Sequence, residues 1–223
     1  MKSRGESVSQ ALRTFPLFSG LPEDQLGWFV AQALHQRYAR GEIIFHRDDH
    51  GDRAFVILSG SVDLVIESAD GRELILVRLN AGEHFGEMAL LDARVRSATA
   101  RASSNTELVA VLGETFNRAL AEQPELSKHI IRSLVQRLRS ADEKLEAFAY
   151  LDVEGRLARV LLELSRAEAE IRLSHEELSH MAATSRQTAT RVLGEWEEQG
   201  FVELARRGIN VKDREALTAL AQL

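Results

Sequence analysis

Two groups of residues have types and spacings suited to chemistry. The first is FGEMALLDARVRSATA, Phe85 to Ala100, in which a Gly86-Glu87 turn precedes an Arg96-Ser97 pair by ten residues. A guanidinium grips an oxyanion as a planar two-pronged donor, and a carboxylate accepts from a hydroxyl. Ala98, Ala100 and Ala102 share strand parity with Arg96 and leave room beside it. The plainer reading of Glu87 and Arg96 is a salt bridge internal to a sheet domain. The second group is SRQTATR, Ser185 to Arg191. On a helix at 100° per residue, Ser185, Ala189, Val192, Leu193 and Trp196 fall on one arc. Arg186, Gln187, Thr190, Arg191 and Gly194 fall on the other. Arg can pair with guanine O6/N7 and Gln with adenine N6/N7; the plainer reading is a solvated helix face.

The elements that must position these groups can be read from hydrophobic period. Residues 8–34 carry apolar residues at helical spacing, broken by Pro16 and Pro22 into short helices. From Tyr38 to Leu112 the runs GEIIF, AFVILSG, VDLVIES, ELILVRL and ELVAVL read as strands, and Gly41, Gly51, Gly60, Gly71 and Gly82 punctuate them. That pattern predicts an antiparallel sandwich or barrel. A helical period returns at 114–151. There Ile131, Leu134, Leu138, Ala141, Leu145 and Phe148 are spaced 3, 4, 3, 4, 3, an a/d seam for pairing with a second copy. The alternative is a helix packed only on its own sheets.

LDVEG, residues 151–155, reads as a joint between domains, with Asp152 an N-cap for an amphipathic helix over GRLARVLLEL. IRL at 171–173 fits a short strand. Two helices follow near 175–182 and 186–199, with a capping box at Ser174 and Glu177, a cap at Ser185 and a terminating Gly200. MAATSRQT leaves only a tight turn between them, the helix-turn-helix arrangement for a major groove. FVELARRGINVKD then forms two strands with Arg206 and Arg207 at the tip, where a wing meets phosphate.

Composition narrows the class. The chain has 223 residues, room for two modest domains, and no apolar run approaches the ~20 residues that span a bilayer. MKSRGESVSQ lacks the apolar core of a secretory signal, so a cytoplasmic protein is expected. No cysteine is present, which excludes disulfides, thiolate zinc sites and cysteine-held iron–sulfur clusters. A cupin-type metal enzyme would need clustered His and carboxylate ligands. His46, His50 and His84 do not make up such a set, so no metal and no catalytic residues are expected. The net charge is −6, and residues 152–223 hold ten Lys/Arg against thirteen Asp/Glu. Any attraction to DNA is therefore local, and a dimer would double it.

Together, PLFSGL, YARGEIIF, FVILSGSV, FGEMALLDARVRSATARA, FAYLDVEGRLARVLL and LSHEELSHMAATSRQTATRVLGEWEEQGFV occur in one order and spacing. In these stretches the chain resembles the cyclic AMP receptor protein/FNR family of bacterial transcription regulators over nearly its whole length. The resemblance implies an α+β fold in three parts. These are an antiparallel β-barrel effector domain of jelly-roll type (1–124), a dimerisation helix (125–151) and a winged helix-turn-helix (152–223). It implies that Gly86, Glu87, Met88, Ala89, Arg96 and Ser97 form a phosphate-binding cassette. Arg96 and Ser97 would hold a cyclic phosphate, and Glu87 would hold the ribose 2′-hydroxyl. The two hydroxyl residues that contact adenine in cyclic AMP-binding members fall on Ala141 and Asp142, and neither is Ser or Thr. Asp142 suits guanine donors better than adenine N1. Cyclic AMP is the expected effector, with cyclic GMP or no nucleotide as alternatives. Ser185, Arg186, Gln187, Thr190, Arg191, Arg206 and Arg207 are the expected DNA contacts. The expected partners are double-stranded DNA, a second copy and RNA polymerase, with no membrane.

Overall fold

The architecture is that of a computed structural model, which describes Gly27, Ala31 and residues 33–166, 170–205 and 208–222. The short helices expected before residue 33 and the wing-tip pair Arg206 and Arg207 lie outside the described residues. Backbone packing divides the chain into two units, one of residues 1–66 and 76–137, the other of residues 67–75 and 138–223.

In the first unit the strands are β1 (Leu34–Tyr38), β2 (Ile43–Phe45), β3 (Arg53–Ser59), β4 (Ser61–Glu67), β5 (Glu73–Asn80), β6 (His84–Phe85), β7 (Thr99–Ala102) and β8 (Thr106–Leu112). They form two four-stranded sheets, ordered β1-β8-β3-β6 and β2-β7-β4-β5. The sheets do not close into one hydrogen-bonded barrel, so the expected barrel is an open jelly-roll. Period-two alternation sends Phe55, Ile57, Leu108 and Ala110 from one sheet against Val62, Leu79 and Ala100 from the other. Strands β3 and β8 are buried on both faces. Their opposite residues, Ala54, Val56, Val109 and Val111, are covered by Phe116 and Ala119 of α2 (Gly113–Glu122) and by Leu126 and Ile130 of α3 (Pro124–Tyr150). This two-sided burial is why AFVILS and ELVAVL read as continuous apolar runs. A one-turn helix, α1 (Met88–Leu91), interrupts the sheets between β6 and β7.

Helix α3 runs for 27 residues, about 40 Å at 1.5 Å per residue. Its apolar residues divide between two tasks. Leu126, Ile130 and Leu134 pack on the first unit. Ile131, Val135, Leu138 and Leu145 are 58%, 46%, 62% and 68% exposed. The seam anticipated from sequence therefore loses Leu134, which its own sheets claim, and gains Val135.

The second unit holds α4 (Val153–Leu164), α5 (His175–Met181), α6 (Arg186–Glu198), the hairpin β9 (Val202–Ala205) and β10 (Gly208–Val211), and α7 (Arg214–Leu220). Its core gathers Leu157, Leu161, Leu178, Val192, Leu193, Trp196 and Leu217. Asp152 caps α4 through Gly155 N, Ser174 and Glu177 form the full capping box of α5, and Ser185 caps α6 through Thr188 N. Gly200, at φ +77, ends α6. The Phe201 N–H reaches Trp196 O at 2.8 Å and the Gly200 N–H reaches Glu197 O at 3.0 Å, the paired bonds of a Schellman stop. The IRL strand is reduced to a single bridge, Ile171 to Ile209. The α5–α6 turn depends on Ala183 at φ +49, a left-handed conformation held by a residue with a Cβ. That conformation costs about 1–2 kcal/mol, against roughly 0.5–1 kcal/mol for the greater chain entropy of glycine. Ala183→Gly is expected to stabilise the protein by about 0.5–1 kcal/mol, read as a raised denaturation midpoint at unchanged m-value.

Candidate effector pocket and reading helix

The Phe85–Ala100 stretch folds as strand, turn, single helical turn and return strand. Gly86 makes the turn at φ +79, and a Cβ there would meet Arg96 Nη1 at 2.8 Å and Arg53 O at 3.3 Å. Only glycine gives both the left-handed backbone and the space for the guanidinium. The Arg96 backbone is pinned on both sides: its N–H donates to Asp49 O at 2.9 Å and its carbonyl accepts from Asp48 N at 3.0 Å. Its side chain then turns inward and is 3% exposed. Nη1 donates to Gly86 O at 2.6 Å and Nη2 to Arg53 O at 2.8 Å. The cation lies over the Phe45 ring, 4.3 Å from its centroid. Burial pulls its pKa down, opposed by Asp52 and Glu87, but an Arg guanidinium stays charged in a protein.

Glu87 is completely buried. Its ionic partner is not Arg96, as the internal salt-bridge reading required, but Arg137 of α3. Arg137 Nη1 donates to Glu87 Oε1 at 2.9 Å, and Nη2 donates to the His84 carbonyl. Burial pushes the Glu87 carboxyl above its ordinary range, against the pull of Arg137. Burial first, and the Arg137 charge second, hold His84 down to about 3, so it is a neutral packed side chain. Arg137 was missed from sequence because its partner is fifty residues away in the chain. The available hint was an Arg beside the apolar seam, one helical turn before Ala141.

These side chains line a pocket of about 320 Å³, mouth included. Gly86, Glu87, Met88, Ala89, Arg96 and Ser97 all border it, with Phe45, Leu64, Ala98 and Arg137. Ser97 is exposed at the mouth, 3.9 Å from the Met88 sulfur. Ala98 borders the pocket, whereas Ala100 belongs to the core between the sheets. Among the described residues, three polar atoms around the pocket are buried and without a partner: Glu87 Oε2, Arg96 Nε and Arg137 Nε. Buried polar groups are seldom left unpaired. An acceptor beside two donors fits a ligand that offers a hydroxyl and an anionic oxygen. Ala141 and Asp142 of α3 are both exposed and do not border this pocket.

On α6, Ala189, Val192, Leu193 and Trp196 are buried, while Arg186, Gln187, Thr190 and Arg191 are exposed. Ser185 is occupied as the helix cap. Two partners were not legible in sequence. Thr190 Oγ1 meets His175 Nδ1 at 3.0 Å, and Arg191 Nη1 is held by Glu195 at 2.6 and 2.9 Å. Among the described residues no group of three or more His, Cys, Asp or Glu is placed to hold a metal. No described helix is long and apolar enough to cross a membrane.

Removing one partner of a buried ion pair strands the other charge, at about 3–5 kcal/mol, whereas replacing both by apolar groups is often nearly neutral. Arg137→Leu is expected to lose that much stability, and the double variant Arg137→Leu/Glu87→Leu to recover most of it. Denaturant unfolding of the four proteins in the cycle measures the coupling.

Comparison with known proteins agrees with this geometry. The family model for the cyclic nucleotide-binding domain matches residues 35–123, and that for the Crp-like helix-turn-helix domain matches residues 155–220. The chain is 34% identical over 208 residues to the cyclic AMP receptor protein of Thermus thermophilus, covering 92% of this chain and 96% of the relative. It is 26% identical over 224 residues to the CRP-like cAMP-activated global transcriptional regulator of Mycobacterium tuberculosis, covering 96% of this chain and all of the relative. Among solved structures, the c-di-GMP responsive global regulator CLP of Xanthomonas campestris superposes with a TM-score of 0.77 at 26% identity, covering 85% of this chain and 99% of that one. The two domain models fall on the jelly-roll that holds the buried Arg–Glu pocket and on the helix-turn-helix, the relatives cover 85–96% of the chain, and the chain belongs to the cyclic AMP receptor protein/FNR family of transcription regulators.

Proposed function

We propose that the protein is a homodimeric, effector-responsive regulator that binds a palindromic operator in the cytoplasm, with a cyclic nucleotide, cyclic AMP first, as effector. Its work is binding, with no catalytic step. The observation that carries the reading is the set of buried, unpartnered polar atoms around one pocket. A ribose 2′-hydroxyl can donate to Glu87 Oε2, and a cyclic phosphate can accept from Arg96 and Ser97. Each buried group left unpaired costs about 1–3 kcal/mol. A ligand that pairs them in only one conformation shifts the population toward it.

Two observations support variants of this reading. Both Nη atoms of Arg96 already serve backbone carbonyls, which suits a pocket that holds itself together in a ligand-independent dimer. The positions implied for base contact are Ala141 and Asp142, and a carboxylate accepts from guanine N1–H and N2–H. The alternative effector is therefore a guanine nucleotide. The Xanthomonas neighbour is c-di-GMP responsive, so that dinucleotide belongs in the same titration.

Dimerisation is supported by Ile131, Val135, Leu138 and Leu145, exposed along one stripe of α3. Covering such side chains contributes about 1.5–3 kcal/mol each. These side chains are already about half covered, so over two copies the gain is about 6–12 kcal/mol, comparable with an association cost of about 4–15 kcal/mol. Two reading helices set about 34 Å apart would meet successive major grooves. On DNA, Arg191 would exchange Glu195 for a base edge, and Gln187 would read adenine. RNA polymerase is the partner that family membership implies for the DNA-bound dimer.

Calorimetry with cyclic AMP, cyclic GMP and c-di-GMP tests the effector. We expect cyclic AMP to bind once per protomer, and Arg96→Leu to weaken it by about 1.5–3 kcal/mol, the worth of hydrogen bonds to a charged group. Silence from all three ligands alongside tight operator binding would establish the ligand-independent dimer instead. Selection from a random DNA pool tests the readout. Gln187→Glu should move the preference at one base pair per half-site from adenine toward cytosine, by about 1–3 kcal/mol, and leave the other positions unchanged.

A further inference from the structure

Thr190 stands on the polar face of α6, one helical turn beyond Arg186 and beside Gln187. A threonine inside a helix commonly spends its hydroxyl proton on the carbonyl three or four residues back. Thr218 of α7 does so, its Oγ1 donating to Arg214 O at 2.7 Å. Thr190 departs from this pattern. Among the described residues its hydroxyl meets only Nδ1 of His175, at 3.0 Å, across the gap to the neighbouring helix. His175 is the first residue of α5 and is half-buried, whereas Thr190 is exposed.

Backbone on both sides sets the pair in place. The capping box fixes the chain as it enters α5: Glu177 accepts from Ser174 N at 2.9 Å and from Ser174 Oγ at 2.8 Å, and the Glu177 N–H donates back to Ser174 Oγ at 3.2 Å. Leu178, one turn after His175, and Ala189, next to Thr190, are buried in one core. The chemistry of the bond then decides what Thr190 can read. A hydroxyl has one proton and two lone pairs, and a neutral imidazole has one N–H and one bare nitrogen. In free histidine that proton sits more readily on Nε2, which leaves Nδ1 as the acceptor. Thr190 then gives its proton to His175 and turns only lone pairs outward. Lone pairs accept from an exocyclic amine, N6 of adenine or N4 of cytosine, and gain nothing from guanine O6 and N7 or thymine O4.

We propose that His175 is a positioning residue for sequence readout. By taking the Thr190 proton it makes that hydroxyl an acceptor, selective for a base that presents an amine in the major groove. The proposal rests on α6 being the reading helix, and it adds a specificity element that acts from outside that helix.

The test is selection by the full chain from a random pool of duplex DNA, with and without cyclic AMP, cyclic GMP and c-di-GMP, comparing the four bases at each position. Thr190→Val keeps the shape and removes the hydroxyl; His175→Phe keeps a ring and removes Nδ1. Each should lower the preference for adenine or cytosine at one and the same base pair per half-site, by about three- to tenfold, the worth of one hydrogen bond. The double variant should lose no more than either alone. His175→Asn, whose amide oxygen can stand near the place of Nδ1, should restore the preference. Thermal melts report folding, and should His175→Phe fail to fold, His175→Ala removes Nδ1 without adding bulk. Nitrogen-15 NMR of the ring in mildly alkaline buffer, which needs no DNA, should show Nδ1 as the bare nitrogen. Additive losses, a Thr190-dependent preference for guanine or thymine, or a proton on Nδ1 of the neutral ring would each overturn the proposal. Arg186→Ala in the same selection keeps the two assignments apart. A profile that responds to Arg186→Ala and not to loss of Nδ1 overturns the positioning alone, whereas a chain that selects no sequence overturns the reading helix and the positioning with it.

Discussion

A fully buried carboxylate inside an open jelly-roll is the constraint on which the effector unit depends. Glu87 cannot stay ionised there without a cation, and the cation comes from α3 rather than from the sheets. Arg137 makes the link, and its second prong takes the His84 carbonyl at the end of β6. The β6–α1 turn is thereby tied to the helix by charge as well as by the apolar packing of Leu126 and Ile130. An ion pair of this kind is poor evidence for stability, since desolvation consumes much of the attraction. What it supplies is position. The geometry of the pocket and the placement of the first half of α3 are one problem with one solution.

Arg96 makes the same point from the other side of the pocket. Its backbone is fixed by Asp48 and Asp49, its guanidinium by two carbonyls, and its face by Phe45. Gly86 is required because any side chain there would strike that guanidinium. The remaining unpaired atoms, one acceptor and two N–H donors, are a small residue of unmet hydrogen bonding inside a formed cavity. Such a residue can be coupled to an equilibrium, because it is met in some states and not in others.

The faces of helix α3 point different ways. One face is absorbed by the sheets and one remains apolar and exposed. Beyond Arg137, Lys144 and Ala147 are turned toward α4 within the second unit. The reading helix α6 is simpler: one face is core, and the other is polar and basic. Its Arg191 is held by Glu195 and its Thr190 by His175, so the polar face is ordered by its own contacts.

The sequence by itself determined the local structure. The change of period from two to 3.6 located the sheets and helices. Asp152, the Ser174–Glu177 box, Ser185 and Gly200 fixed the helix ends to within a residue, because caps act over three or four residues of chain. The cassette residues were legible as a contiguous motif, and they do border one pocket. Short or polar elements were not legible: β1, with the sequence LHQRY, and the two-residue β6. Only the tertiary structure decided which charge partners which. Glu87 and Arg96 stand close in sequence, yet Glu87 pairs with a residue on a distant helix. Only packing decided that Leu134 faces the sheets while Val135 faces outward. Periodicity reports a side chain's angle around its own helix, whereas pairing depends on what the rest of the fold brings to that angle.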